Sequence, residues 1–310
     1  MEKRFAVTGA TGLLGSNLVN RLLKMGYEVN VLIKDESAKS ILSKNVTRTY
    51  GDISDKHDIE FFIQKSNPSH FIHLAAQTQA YDSLRYPYAT FFNNMVGTLN
   101  ILESLREYGN CSAIIVASSD KAYGELIGSK YQEQHPLNGI YPYDASKSAT
   151  DLISNSYRQS YKLPIIVTRA CNIYGIGDYN RQRLIPGIVN SYLKNSEFII
   201  RNGGKDNREY LHVEDAVDAY VALLHYAETK NRFGAFNISS GDAYTTIDLF
   251  NLVQKKIKKP ILHKIVSEPT LEIMNQFMDS QLLKEETNWI PKQKLSNTIG
   301  EIVQWYLENT

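Results

Sequence analysis

Short apolar runs alternate with longer stretches of helical spacing through the first half of the chain. "RFAVTGA", "EVNVLIK", "HFIHLAA", "SAIIVASS" and "PIIVTRA" have strand length and strand composition. Between them, "LLGSNLVNRLLKMG", "DIEFFIQKS", "ATFFNNMVGTLNILESLREYG" and "YDASKSATDLISNSYRQSY" place apolar residues on one helical face. Strand and helix in strict alternation predict a parallel sheet with crossover helices, so the expected fold is α/β, a Rossmann doubly wound parallel sheet.

The rhythm breaks after residue 173 into shorter pieces: a helix at "GIVNSYLKN", a strand at "EFIIR", a further strand at "AFNISSG" and a helix at "TTIDLFNLVQKKIKK". This predicts a smaller, interleaved mixed α/β substrate lobe. Residues 1–172, with 207–240 returning, are expected to form the dinucleotide-binding domain, and 173–206 with 241–310 the lobe. The basic run "KKIKKP" stops at Pro260 and reads as a solvated helix end.

Charge narrows the range of partners. Among 310 residues, 34 basic against 33 acidic side chains leave a net charge of +1, which gives no electrostatic reason to expect nucleic acid or an anionic membrane. No segment approaches the roughly 18 apolar residues that span a bilayer, and the first strand is too short for a signal-peptide core. A cytoplasmic location is the resulting expectation. Cys111 and Cys171 sit in strand-like runs and read as reduced core thiols. His70 and His73 lie on a strand expected to be buried, and no cluster has metal-ligand spacing, so no metal is expected.

Candidate chemistry starts at the first strand-to-helix turn. "TGATGLLG" supplies Gly9, Gly12 and Gly15, which permit a tight turn and let the backbone approach a pyrophosphate at the helix N-terminus. A dinucleotide is therefore expected there. The second strand ends in Ile33, where an acid for the ribose hydroxyls would normally stand, followed by Lys34 and Asp35. Lys34 suits a 2′-phosphate and Asp35 a free ribose, so NAD and NADP both stay open. Asp52, in "YGDISD", suits either the adenine edge or the N-cap of the next helix.

"YPYDASK" sets Tyr143 and Lys147 four residues apart, on one helical face. A tyrosine near pKa 10 is a poor base at neutral pH, and bringing it to about 7 takes roughly 4 kcal/mol. A neighbouring lysine and an oxidised nicotinamide both favour the phenolate, which can then take a hydroxyl proton while carbon gives up hydride.

Together with these, "HLAAQ", "NNMVGTLNILES", "SSDKAYG", "TRACNIYG", "RLIP" and "NREYLHVEDAVDA" resemble the extended short-chain dehydrogenase/reductases that act on nucleotide sugars. The resemblance runs through the C-terminal "FMDSQLLKEETNWIP". It implies an oxidation triad of Ser119, Tyr143 and Lys147, a cofactor site that also takes in Thr11, Leu13, Leu14, Ile53, Leu74, Ala75 and Ala76, and a homodimer. It also implies Asn172 and Arg208 for the sugar nucleotide; Gln77 is a further candidate, and Arg181, Arg183, Arg201 and Arg208 cluster in the lobe, where guanidinium forks suit a diphosphate. His212 reads as a packing residue.

Within that family the residues after the triad serine decide the branch. A 4-epimerase needs no acid or base beyond the triad, whereas a 4,6-dehydratase must also remove a proton at carbon 5 and expel the hydroxyl at carbon 6. Hexose 4,6-dehydratases usually carry Asp-Glu here. Asp120-Lys121 departs from that pair and resembles the CDP-glucose 4,6-dehydratases and some UDP-N-acetylglucosamine dehydratases. Asp120 is then the expected acid and Lys121 the expected base, with NAD or NADP held tightly and recycled. A lysine base must be neutral, which takes nearly 5 kcal/mol of desolvation or cationic pressure to bring it from about 10.4 to about 7. A 4-epimerase, a 4-reductase and a non-catalytic dinucleotide-binding protein are the alternatives.

Overall fold

The structure, a computed structural model, describes residues 3–125, 128–268 and 271–309. Its first part runs β1 (Arg4–Thr8), α1 (Leu13–Lys24), β2 (Glu28–Ile33), β3 (Thr47–Tyr50), α2 (Lys56–Ser66), β4 (His70–His73), α3 (Ala80–Arg85), α4 (Pro87–Phe91), α5 (Gly97–Tyr108), β5 (Ala113–Ala117), α6 (Pro142–Tyr161) and β6 (Ile165–Ala170). The second runs β7 (Asn172–Tyr174), α7 (Leu184–Leu193), β8 (Phe198–Ile200), β9 (Asn207–His212), α8 (Val213–Lys230), β10 (Ala235–Ile238), β11 (Ala243–Thr245), α9 (Thr246–Ile257), β12 (His263–Ile265), β13 (Asn275–Gln276), α10 (Gln281–Thr287) and α11 (Leu295–Asn309).

Seven parallel strands form the main sheet in the order β10-β6-β5-β4-β1-β2-β3. The chain leaves β1 in opposite directions toward β2 and β4, so a crevice opens at the carboxyl ends of β1 and β4, the switch point where doubly wound sheets bind ligands. Both faces are covered: Val7, Val31 and Ile115 pack with Leu18 and Leu223 on one side, and Ala6, Phe71 and Ile114 with Phe62 and Ile101 on the other. A separate cluster of Ile188, Phe250, Ile299 and Tyr306 holds the smaller lobe. There β9 pairs with β7, β11 and β13, and β8 with β12. Of the 207–240 span, the strand Ala235–Ile238 joins the main sheet, while Asn207–His212 is the centre of the small one.

Two elements differ from the sequence pattern. β3 is a strand of "TRTY" with a single buried residue, Thr49, so it has no apolar run to announce it. The long helix expected over 89–109 is interrupted: Phe92–Val96 winds as a π-turn before α5 begins. In the π-turn, Asn94 faces inward, 2% exposed. Its side chain accepts from the Gln77 N–H (2.7 Å) and donates to the Gln77 carbonyl (3.0 Å) and Ser146 Oγ (2.8 Å).

The polar residues read as structural pack as structure. His73 is buried beside Thr8 (2.8 Å), and burial, then the Lys147 charge, push it down to about 3, keeping it neutral. His70 stacks on Phe5 and meets Glu228 at 2.8 Å. His212 caps α8, accepting from the Glu214 N–H. Both cysteines are free thiols, and Lys255 and Lys256 lie in the last, exposed turn of α9. Among the described residues no helix is long and apolar enough to cross a membrane.

Under the crevice lies a buried ion pair. Arg169 on β6 forks onto Asp151 of α6 (Nε to Oδ2 2.7 Å, Nη2 to Oδ1 3.0 Å), and its remaining nitrogen donates to the Tyr123 hydroxyl (2.7 Å) and the Glu133 carbonyl (2.9 Å). Removing one partner strands a buried charge, a loss of about 3–5 kcal/mol. Asp151→Ala is therefore expected to lower the urea midpoint by that much stability, whereas Glu60→Ala, which breaks the more exposed pair with Lys56, should cost less than about 1 kcal/mol. Equal losses in the two variants would contradict this ranking.

Candidate active site

The first glycine turn is shaped by close contact. Gly9 has φ +74°, and a Cβ there would sit 2.6 Å from the Ala75 N; a Cβ on Gly15 would sit 2.1 Å from the Gly9 carbonyl oxygen. β1, α1 and the end of β4 can approach this closely only without those side chains. Gly12 is the N-cap of α1, with no side chain to satisfy the first amides and no acid in the first turn. That end of the helix is left to an anion. A cavity of about 710 Å³ opens onto it, lined by Gly9, Thr11, Gly12, Leu13, Leu14 and Gly15, by Lys34, Lys39, Asp52 and Ile53, and by Leu74, Ala75, Ala76 and Gln77. Its size, bare amides and apolar walls fit a dinucleotide.

Lys34 lines this cavity and forms a 2.7 Å ion pair with Asp52. Partial burial works against ionisation of Asp52, but Lys34 and Ser54 outweigh it and hold the carboxyl below its usual range. Capping of α2 falls to Asp55, which accepts from the His57 and Asp58 amides, so Asp52 is free of that role. Asp35, expected beside Lys34, turns away: its carboxylate accepts from the Ser37 N–H (2.9 Å) and hydroxyl (2.7 Å), and it does not line the cavity. Gln77, expected at the substrate, sits in the wall of the dinucleotide cavity, where Asn94 clamps it.

Adjoining is a second cavity of about 300 Å³, lined by Ser119, Asp120, Lys121, Tyr143, Asn172, Arg183, Tyr210 and Glu272 among others. Tyr143 belongs to both cavities, so its phenol stands where a nicotinamide and a sugar would meet. Pro142 starts α6 at a position that needs no amide donor, which sets Tyr143 in the first turn and Lys147 one turn on. The Lys147 ammonium, itself buried, donates to the Ala117 carbonyl at 2.8 Å, and burial pulls it down to about 8. Burial pushes Tyr143 the other way, well above 10; Ser119 and Arg183 oppose that rise, while Asp120 and Asp144 add to it.

The turn 119–124 is held against α6, because the Ser148 hydroxyl donates to the Ala122 carbonyl at 2.7 Å. Within it, the Ser119 hydroxyl donates to Asp120 Oδ1 (2.8 Å), which also accepts from the Lys121 N–H (2.8 Å). Asp120 is only 4% exposed, and burial raises its carboxyl against the pull of Lys121, Ser119 and Arg208. A rise is the direction that a general acid requires. Lys121 Nζ is buried with no hydrogen-bond partner, and Glu272 Oε2 lies 3.6 Å away.

Arg208, expected at the sugar nucleotide, is buried. Its guanidinium donates to the Met274 and Asn207 carbonyls, lies 3.8 Å from Glu272, and lines neither cavity. Arg183 lines both, with Asp178 at 3.4 Å. Arg181 and Arg201 are exposed, the latter over the Tyr81 ring. Two carboxylates went unread in the sequence. Glu272 comes from an irregular segment with no motif around it. Asp144 sits inside "YPYDASK" and looks like an ordinary first-turn acid, yet it is 1% exposed and neither oxygen has a hydrogen-bond partner.

A profile of the family described as NAD dependent epimerase/dehydratase matches residues 5–239. The chain belongs to this family. Among curated members, it is 30% identical over 275 residues to the dTDP-D-glucose 4,6-dehydratase of Dictyostelium discoideum, covering 82% of this chain and 61% of that one. It is 29% identical to the CDP-glucose 4,6-dehydratase of Salmonella typhimurium, covering 98% and 90%. The chain spans about half the length of the trifunctional UDP-glucose 4,6-dehydratases of Arabidopsis thaliana, at 26% identity and 48% of their length. Among solved structures, the dTDP-glucose 4,6-dehydratase of Streptomyces venezuelae, with NAD bound, superposes with a TM-score of 0.91 at 25% identity, covering 99% and 97%. The UDP-glucose 4-epimerase of Thermus thermophilus, in complex with NAD, gives 0.90 at 27%, covering 99% and 100%. Family membership thus covers both dehydratases and epimerases on one Rossmann frame.

Asp144 has a measurable signature. Burial raises its carboxyl from 3.8 to about 6, with Lys121 opposing the rise and Asp120 and Glu272 adding to it. The native state therefore holds this proton more tightly than the unfolded chain. The stability this contributes is complete below pH 3.8 and is lost as pH rises through about 6. Asp144→Asn should accordingly gain stability relative to the parent between pH 4 and 7, by about 2–3 kcal/mol at roughly 1.4 per unit. Denaturation curves at both ends of that range test it, and a difference that does not change with pH would reject it.

Proposed function

We propose that the protein is a nucleotide-sugar 4,6-dehydratase, with CDP-glucose as substrate. The observation that carries this reading is the convergence of Asp120 and Lys121 with Tyr143 on one cavity, beside the dinucleotide cleft. An epimerase has no use for the first two. The dTDP- and CDP-glucose 4,6-dehydratases among its relatives, at 25–30% identity, support the reaction class. The CDP-sugar assignment rests on the Asp-Lys pair itself.

Each group then has one task. Tyr143, as phenolate, takes the proton of the carbon-4 hydroxyl, with Ser119 aligning that oxygen and Lys147 favouring the phenolate. A nicotinamide dinucleotide held along Gly9, Gly12 and Gly15 would supply the hydride acceptor for carbon 4 and the hydride donor for carbon 6. The carbon-4 ketone acidifies carbon 5, and Lys121 takes that proton. Asp120 protonates the carbon-6 hydroxyl, which leaves as water. Lys121 returns a proton to carbon 5 as hydride reaches carbon 6, giving a 4-keto-6-deoxyhexose with no net redox change. Arg183, which lines both cavities, suits the diphosphate. A cytoplasmic homodimer completes the reading, and the exposed Leu99 on α5 and Leu152 on α6 support those helices as its interface.

Incubation with CDP-, dTDP-, UDP- and GDP-hexoses in heavy water tests the reading. Loss of one water with deuterium at carbon 5 is expected from one of the panel, whereas an isomer of unchanged mass would make the protein an epimerase. Lys121→Met should still oxidise carbon 4 but eliminate at least about 100-fold more slowly. Unimpaired elimination would remove Lys121 from the mechanism.

A further inference from the structure

We propose that Glu272 relays protons between Lys121 and solvent, so that the hydrogen taken from carbon 5 is exchanged before one is returned. This role rests on the dehydratase reading above. It makes Glu272 a positioning residue, acting through Lys121 and not on the sugar.

The need for a relay follows from where Lys121 sits. Its Nζ is buried with no hydrogen-bond partner, and its side chain is only 12% exposed. Three carboxyls act on this amine: Asp120 from its own turn, Asp144 from α6, and Glu272 from the irregular segment before β13, with Arg208 lying 3.8 Å from Glu272. Arg208 stays charged and accepts no proton. Asp120 is 4% exposed and Asp144 1%, so a proton passed to either one goes no further outward. Glu272 differs from both. Its Oε2 lies 3.6 Å from Nζ, yet its side chain is 38% exposed and lines the sugar cavity. Partly exposed side chains change rotamer within about a nanosecond, and a small rotation closes 3.6 Å to hydrogen-bond distance.

The backbone that carries Glu272 is tied down just beyond it. Ile273 is buried, the Met274 carbonyl accepts from Arg208, and Asn275–Gln276 pairs with β9. Tyr131 accepts from the Asp279 N–H (2.9 Å) and donates its own N–H to the Phe277 carbonyl (2.8 Å), while the Met278 N–H donates to Glu209 (2.9 Å). A fixed segment thus sets one half-exposed carboxyl beside a buried amine.

Such a relay is fast enough. Between an ordinary lysine and an ordinary glutamic acid the transfer is uphill by about six decades. Against an attempt frequency of about 6 × 10¹² per second, that leaves on the order of 10⁶ transfers a second, far above a turnover of about 1 to 10³. The atoms balance: carbon 5 gives a proton to Nζ, the ammonium gives one to the Glu272 carboxylate, water exchanges it, and the path reverses with no net change of charge.

CDP-glucose carrying deuterium at carbon 5, turned over by the full chain in ordinary water, tests this. The parent should give a 4-keto-6-deoxy product with almost no deuterium left at carbon 5. Glu272→Gln keeps the shape without a transferable proton, so the deuteron stays among the three equivalent positions of the ammonium and up to about a third of it should return to carbon 5. Glu272→Asp, one methylene shorter, should fall between. The retained fraction is a ratio within the product, so it does not depend on how much of a variant is folded or how fast it turns over. Equal washout in the parent and Glu272→Gln would overturn the relay, as would a glutamine variant that forms no product, because exchange is not a step of elimination. A product isomer of unchanged mass that keeps its deuterium would instead overturn the dehydratase reading, and this role with it.

Discussion

The pair between Arg169 and Asp151 fixes the two elements on which the site depends. α6 carries Tyr143 and Lys147, and β6 leads directly into Asn172 and the lobe beyond. A buried guanidinium held by two carboxylate contacts permits little sliding or rotation of that helix on the sheet. The same guanidinium holds Tyr123, whose ring stacks on Tyr131 at 4.7 Å and whose hydroxyl donates to Asn237. The turn bearing Ser119, Asp120 and Lys121 is thereby joined to α6 from below, as Ser148 joins it from the side. Such a pair contributes little net energy compared with an apolar substitute, and its value here is one of position.

Electrostatically, the protein groups of the site favour low charge. Burial raises Asp120, Asp144 and Tyr143 toward their protonated forms and lowers Lys147 toward its neutral one. The groups proposed for chemistry are thus set by desolvation first, and by one another second. Glu272, near both Lys121 and Arg208, links that balance to the irregular segment that carries it.

The main sheet was legible because each of its long strands is an apolar run and each crossover helix a periodic one. The glycine turn and the Tyr143–Lys147 spacing were legible because local geometry demands them within a few residues. β3 was not, since an edge strand with one buried residue leaves no pattern. Asp144 escaped because its burial comes from contacts across the site, invisible from neighbours in sequence. Arg208 shows the limit of such reading: its region was legible, but its contacts with the Asn207 and Met274 carbonyls were not. Long-range partners decide such roles, and a single sequence carries no record of them.

The π-turn at Phe92–Val96 gives this helix one residue more than its hydrogen-bond ladder needs. A helix turns about 100° per residue, so a one-residue deletion here would swing Asn94 off Gln77 or rotate all of α5 against α2. Loops absorb changes of length, and this helix cannot. In this chain the number of residues between the "AAQ" segment and α5, and not only their identity, is thus part of what sets the wall of the cleft.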